Sequence, residues 1–324
     1  MAAVSAASAQ SSVTLYGRLD ASVGSTSTET TGAAPVAKLS QNGVSQSALN
    51  TTFWGLKGSE DLGGGLKAIF KLESGFELDT GTASNTLFER EANVGLSGSF
   101  GQVTLGRQYT SYYSSYGGTE MLWNNNFAVS NTVDKSGLAT NGTRTANSVR
   151  YDTPSFSGLT GSVTYGFGED KTATADATDN ISFNVSYANG PVMATFAHQE
   201  NTLALNAGTT KFNLFGGTYD LGAAKLNGRY QTTSNGTVDD KMYQVGVTVP
   251  VGAFSYGVGY ANEKSSTSGM ADLNSNGFGL VGMYDMSKRT TLYVGYKSTK
   301  VESAPAAIST AKASSFQAGV RHTF

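Results

Sequence analysis

The chain has 324 residues, among them 40 Gly, 5 Pro, 2 His and no Cys, and its formal net charge is -2. Disulfides and thiolate metal sites are therefore ruled out, a histidine metal centre or His-based acid–base machine has too few members, and no basic excess exists for nucleic acid. No run reaches about 18 apolar residues, which removes helical membrane spans but leaves strands that cross a bilayer open.

Residues 1–9 are small and apolar and end in Ala7-Ser8-Ala9, a pattern that signal peptidase accepts. They read as a residual signal peptide, with the mature chain starting at Gln10. From Val13 the dominant period is two. Val13, Leu15, Gly17, Leu19, Ala21 and Val23 share one parity, and Thr14, Tyr16, Arg18, Asp20 and Ser22 share the other. Successive side chains of a strand point to opposite faces, so this segment has one apolar face and one polar face. Its length of about eleven residues suits a tilted strand in a bilayer.

The alternation returns down the chain, at Leu66–Leu78, Val163–Phe167, Ile181–Tyr187, Tyr243–Val249, Phe254–Tyr260, Leu292–Tyr296 and Phe316–Phe324 among others. Short connectors such as Asn189-Gly-Pro191 and Pro250-Val-Gly-Ala253 alternate with long polar ones such as Ser25–Ser47 and Tyr109–Gly142. That rhythm predicts an all-β, up-and-down antiparallel meander of about sixteen strands, with no composition shift to mark a second domain within 10–324. In hydrocarbon every backbone donor and acceptor must be paired, so the sheet must close. The polar parity then faces inward, and a ring of this size is too wide for side chains to fill. Water fills it.

Several stretches resemble a known family. Val13-Thr-Leu-Tyr-Gly-Arg-Leu-Asp20, Trp54-Gly-Leu-Lys-Gly-Ser-Glu-Asp-Leu-Gly-Gly-Gly-Leu-Lys67, Phe100-Gly-Gln-Val-Thr-Leu-Gly-Arg107 and Gly319-Val-Arg-His-Thr-Phe324 are similar to the trimeric general-diffusion porins of Gram-negative outer membranes. The betaproteobacterial and neisserial branch is the nearest in pattern. The resemblance implies a sixteen-stranded transmembrane barrel with short periplasmic turns and long extracellular loops, assembled as a homotrimer. It also implies a loop over residues 109–142 folded into the lumen, carrying the acids Glu120 and Asp134. The inward bases it implies are Arg18, Lys57 and Arg144, with Arg150 on the parity of Arg144.

Phe53 and Glu91 stand where these porins often carry a base, so the implied anion preference is weak. Arg107 shares the outward parity of Val103 and Leu105. A charge facing lipid near the midplane costs about 2–4 kcal/mol. The resemblance sets this wall at the trimer centre, where Arg107 either pairs with an acid across the subunit contact or snorkels at the rim. Gly319 and the terminal Phe324 resemble the signal read by the barrel-assembly machinery. The further partners implied are outer-membrane lipid and lipopolysaccharide, small hydrophilic solutes and ions, with no cofactor and no nucleic acid.

Other signals fail on chemistry. Asp272-Leu-Asn-Ser-Asn-Gly277 imitates a Ca²⁺ loop but has Met283 where a bidentate Glu is needed. His198 and Glu200 share a face without a further His to close a metal site. Glu73 and Glu77 on a wet wall lack an environment that would drive their acidities apart for hydrolysis. The expectation is a passive, non-enzymatic channel. A solute-specific channel of the same build, an adhesin or phage receptor without conductance, and a barrel enzyme with a rim nucleophile are the alternatives.

Overall fold

A computed structural model describes residues 12–32, 36–84, 86–134, 142–175, 177–203, 208–303 and 309–324. The expected signal segment 1–9 and residues 135–141 of the long loop lie outside them. No helix among the described residues is long and apolar enough to cross a membrane.

The first strands are β1 (Ser12–Thr31), β2 (Ala37–Gln46), β3 (Phe53–Gly63), β4 (Leu66–Gly75), β5 (Glu91–Gly98) and β6 (Gly101–Tyr109). Two short helices follow, α1 (Ser111–Gly118) and α2 (Ser130–Val133). The meander resumes with β7 (Arg144–Asp152), β8 (Leu159–Gly166), β9 (Asn180–Asn189), β10 (Val192–Thr202) and β11 (Thr209–Asp220). It ends with β12 (Lys225–Ser234), β13 (Val238–Val251), β14 (Phe254–Thr267), β15 (Leu273–Asp285), β16 (Thr290–Ser303) and β17 (Ser309–Thr323).

Apart from β2 and β3, each strand pairs antiparallel with its successor, and β1 pairs with β17 from Arg18↔Thr323 to Thr31↔Thr310, which closes the ring. β2 and β3 lie end to end along the other edge of β1, as Ala21↔Gln46 and Arg18↔Phe53 show. They are one wall strand interrupted by a bend, so the barrel has sixteen staves. The bend has a definite cause. The buried carboxylate of Asp20 accepts the backbone N–H groups of Leu49 (3.2 Å) and Asn50 (2.7 Å) and the hydroxyl of Tyr293 (2.6 Å). The ladder is thus replaced locally by side-chain acceptors, as a buried backbone donor requires.

Burial runs opposite to that of a water-soluble protein. Val245, Val258, Leu280, Val294 and Val320 are exposed on the outer parity, whereas Gln231, Gln244, Glu263, Ser275 and Gln317 are buried on the inner one. Aromatic side chains bracket the outer apolar band: Tyr256 and Tyr260 on β14, and Phe278 and Tyr284 on β15, enclose Val258 and Leu280. Phe278 and Tyr284 are six residues apart, roughly 20 Å of strand, close to the height of a bilayer-spanning barrel band. Tight connectors occupy one rim. β9 and β10 meet across Asn189↔Val192, and Gly190 takes a φ of +56° there, which glycine adopts without strain.

Candidate functional site

The inner wall of β1 and β3–β7 lines a cavity of about 530 Å³. Lys57, Lys71, Glu91, Arg150 and Asp152 supply its charges. The acids here are neutralised by neighbours. Lys71 lies 3.0 Å from Glu73 and 3.2 Å from Glu91, and Arg90 lies 3.2 Å from the other oxygen of Glu73. Tyr16 donates its hydroxyl to Glu73 at 2.8 Å. Arg150 contacts Asp152 at 2.6 Å and donates to the main-chain oxygen of Tyr109 at 3.0 Å.

Several bases are left without such a neighbour. Among the described residues, Arg18, Lys57, Lys297 and Arg321 make no ion pair. Arg18 donates to the carbonyl of Thr51 (2.9 Å) and lies over the Phe53 ring at 5.3 Å. Lys57 sits 4.8 Å from the centre of the Tyr16 ring. Arg321 donates to Asn50 and Thr291, each at 2.9 Å. Lys297 donates to the carbonyl of Asn126 at 3.0 Å.

Phe53, which stands where a base is often carried, is a platform for two guanidinium groups, since Arg90 lies over its ring at 4.6 Å as well as Arg18. Sequence reasoning misses Arg90. It precedes β5, in the connector from β4, where alternation gives no parity to read. The only signal is its place next to Glu91 in Phe88-Glu-Arg-Glu91.

The segment between β6 and β7 packs on the inner wall. Thr110 caps α1 by accepting from the N–H of Tyr113 at 3.2 Å. Ser111 bonds Thr164 of β8 (2.8 Å) and Ser115 bonds Thr195 of β10 (2.7 Å), while Asn184 of β9 donates to the Ser111 carbonyl at 3.0 Å. Past α1, Met121, Leu122, Phe127, Val129 and Val133 bury themselves against Ala261, Val281 and Tyr293. Tyr109, Tyr113 and Tyr116 stack in parallel, with centroids 5.0 Å and 5.6 Å apart. Arg144 covers the outer face of this column at Tyr109 (4.1 Å), and Arg229 covers the other end at Tyr116 (3.6 Å). Burial pushes the phenols of Tyr112 and Tyr116 well above the ordinary tyrosine range, so both stay neutral.

Two sequence expectations need correction. Glu120 is not a charge facing the water path. Its carboxylate is completely buried 3.1 Å from the equally buried Arg229, and it also accepts from Ser130 (2.6 Å) and the N–H of Met121 (3.1 Å). Arg144 and Arg150 do not share a parity either. Between Thr145↔Gln108 and Ser148↔Gly106, β7 sets Ala146 and Asn147 against the single residue Arg107, a bulge that switches the alternation. Arg150 pairs with inward Thr104, whereas Arg144 pairs with Tyr109 at the strand end.

Asp134 accepts from Gln231 at 3.0 Å. Arg107 pairs with Ala92 on the outer parity, and its Nε donates to the Glu89 carbonyl at 2.5 Å. Gly319 and Phe324 lie at the β17 seam, where Gly319 pairs with Ser22 and Phe324 exchanges both main-chain hydrogen bonds with Gly17.

Known proteins share this build. The sequence profile of the Gram-negative porin family matches residues 1–304. Outer membrane porin protein 32 of Delftia acidovorans is 35% identical over 313 residues, which are 90% of this chain and 85% of that protein. An outer membrane porin protein of Bordetella pertussis is 32% identical, over 98% of this chain and 96% of its own length. Among solved structures, the anion-selective porin from Comamonas acidovorans superposes with a TM-score of 0.81 at 30% identity, covering 97% of this chain and all of that one. With a closed sixteen-stave wall, greasy outside and hydrogen-bonding within, and with relatives that match along nearly its whole length, the chain belongs to the Gram-negative porin family of the outer membrane.

Proposed function

We propose that the barrel is a water-filled channel through which ions and small hydrophilic solutes diffuse down their gradients, with a preference for anions. One observation carries the preference. The carboxylates Glu73, Glu91, Asp152 and Glu120 sit against bases and that of Asp20 is buried on Leu49, Asn50 and Tyr293, whereas Arg18, Lys57, Lys297 and Arg321 have no carboxylate at ion-pair distance among the described residues. Uncompensated basic side chains along a pore favour anions. Screening over about 8 Å at physiological salt keeps the preference strongest at low ionic strength. The anion-selective porin from Comamonas acidovorans supports the same reading by likeness.

In this reading the segment between β6 and β7 narrows the lumen and filters by size. Arg18, Lys57, Arg90 and Arg150 act on the passing solute, and Arg144 acts with Tyr109 at the edge of the inward segment. The working unit is a homotrimer, with Arg107 near the subunit contact, seated in a leaflet of lipopolysaccharide after insertion by the barrel-assembly machinery. Planar-bilayer recording tests the proposal. Ohmic steps that close in threes, and a zero-current potential of anion-selective sign across a salt gradient, are expected. Absence of conductance would leave an adhesin or receptor, and saturable block by one solute would replace general diffusion with a specific channel.

A further inference from the structure

The inner wall carries a trench shaped to the segment Glu120–Phe127. Gly246 of β13, Gly259 of β14 and Gly279 of β15 lie directly opposite one another in register, a row of three adjacent staves without side chains. The row continues to Asn227 of β12 on one side and to Lys297 of β16 on the other. Both end residues hold the segment: Asn227 donates to the carbonyl of Glu120 at 3.3 Å, and Lys297 to that of Asn126 at 3.0 Å.

What lies between is in contact with the bare backbone. A Cβ at Gly259 would stand 2.0 Å from the Met121 sulfur, and one at Gly246 would stand 2.7 Å from the Met121 Cβ. A Cβ at Gly279 would meet the Phe127 carbonyl oxygen at 1.9 Å. A Cβ at Gly295 of β16, on the same inner face, would meet three atoms of the Phe127 ring at 2.4–2.6 Å. Glycine weakens a strand, so its presence at three facing inner positions calls for a close approach of another chain segment. Glu120–Phe127 is that segment.

We propose that Gly246, Gly259 and Gly279 determine solute selection by size, because the depth of their trench fixes how far Glu120–Phe127 stands into the lumen. This rests on the reading of that segment as the constriction. The two end clamps keep the segment attached when the trench is filled, and packed interiors do not absorb an added carbon, so it moves toward the open water. Ordinary contact begins near 3.4 Å, and a Cβ at Gly279 therefore displaces the Phe127 backbone by roughly 1.5 Å.

The test compares single-channel conductance, and the size limit for neutral sugars in liposome swelling, across variants that remain heat-resistant folded barrels. Gly279→Ala should lose on the order of 20–50% of conductance with a lowered sugar limit, since its clash is with backbone. Gly259→Ala should lose less, and adding Met121→Ala should restore it, because the clash is with one side chain. Gly43→Ala, which meets nothing within 4 Å, should match the parent. Parental conductance in folded Gly279→Ala, or a Gly259→Ala loss that Met121→Ala does not restore, overturns the proposal. If Gly279→Ala fails to fold, the Gly259 and Met121 pair decides alone. A parent protein without conductance would instead refute the channel reading.

Discussion

Arg229 and Glu120 have both left water, and the geometry around them shows what that requires. The guanidinium has a carboxylate at 3.1 Å, the Tyr116 carbonyl at 2.9 Å and the Tyr116 ring at 3.6 Å, while Ser130 and the Met121 N–H occupy the second oxygen of Glu120. Breaking such a pair leaves an uncompensated buried charge, at a cost of about 3–5 kcal/mol. Glu120→Gln should therefore lower the temperature at which the folded barrel unfolds on a gel and should raise open-channel noise. The amide oxygen that replaces the carboxylate still accepts from Ser130 and Met121, so adding Arg229→Met should recover more than half of the lost stability. A Glu120→Gln barrel as heat-resistant and quiet as the parent would show that the pair contributes nothing to seating the segment. Glu120 is visible in the sequence as an acid of the long loop, but its partner stands more than a hundred residues away on β12, and no local spacing announces it. Arg90 escapes for a related reason: a residue in a connector has no strand phase. Arg18 and Lys57, by contrast, are legible because each sits inside an unbroken alternation, on a wall whose other face must be apolar. Charge selection gives a direct check on these bases. Arg18→Ala and Arg90→Ala should each shift the zero-current potential toward cation passage, and the Arg90 change should be larger per charge because it also takes away one of the two bases that neutralise Glu73, leaving Lys71 alone. An unaltered potential in both would remove these two residues from the conduction path.

α1 is too short for a helical period to show in sequence, and tertiary contacts make it. Its hydroxyls bond the walls of β8 and β10, its N-terminus is capped by Thr110, and its tyrosines form the stack closed at both ends by arginine. Tyr113 is the middle ring, so Tyr113→Ala removes two stacked pairs at once. Aromatic pairs contribute about 0.5–1.5 kcal/mol each beyond buried area, which sets the expected loss at about 1–3 kcal/mol. That loss acts on the inward segment rather than on the wall. Tyr113→Ala should close at a lower membrane voltage than the parent while unfolding at the same temperature, and Tyr113→Phe should behave as the parent. Equal closing voltages for Tyr113→Ala and the parent would show that the column is passive packing. The membrane-crossing parts of the strands are legible, because a bilayer demands an apolar outer parity along them. The end of β1 and all of β2, by contrast, fall inside Ser25–Ser47, which reads as a polar connector because no apolar face is demanded there. The bulge at Ala146-Asn147 is not legible either. One extra residue leaves composition unchanged and alters only the phase, and its signs are conformational: Asn147 and Gly106 both take positive φ, at +45° and +126°.

Closure is the property of the barrel that no single strand possesses. An open sheet in hydrocarbon leaves two edges of unpaired peptide groups, each group costing several kcal/mol, so the β1–β17 seam bears on the stability of every other stave. Phe324 completes that seam. Gly17 donates to the Phe324 carbonyl at 3.1 Å, Phe324 donates back to the Gly17 carbonyl at 3.2 Å, and the Phe324 ring lies where a Gly17 Cβ would otherwise stand, 2.6 Å from its Cζ. Phe324 thus has two separable parts, a main-chain pair that closes the ring and an aromatic side chain at its rim. Deleting Phe324 removes both parts, whereas Phe324→Ala removes only the ring. If the aromatic ring is the feature read during insertion, Phe324→Ala should accumulate poorly in the outer membrane yet refold from urea into detergent with the parental yield. The deletion should fail in both settings, because Gly17 then loses both of its main-chain partners across the closing seam. Gly17→Val offers a third arm: its Cβ would press on the Phe324 ring at 2.6 Å and on the Phe53 carbonyl at 2.7 Å, and it should lower the unfolding temperature without blocking export. Normal outer-membrane levels of Phe324→Ala would assign the terminal aromatic to packing at the seam, and efficient refolding of the deletion would show that the ring of strands closes without its last pair.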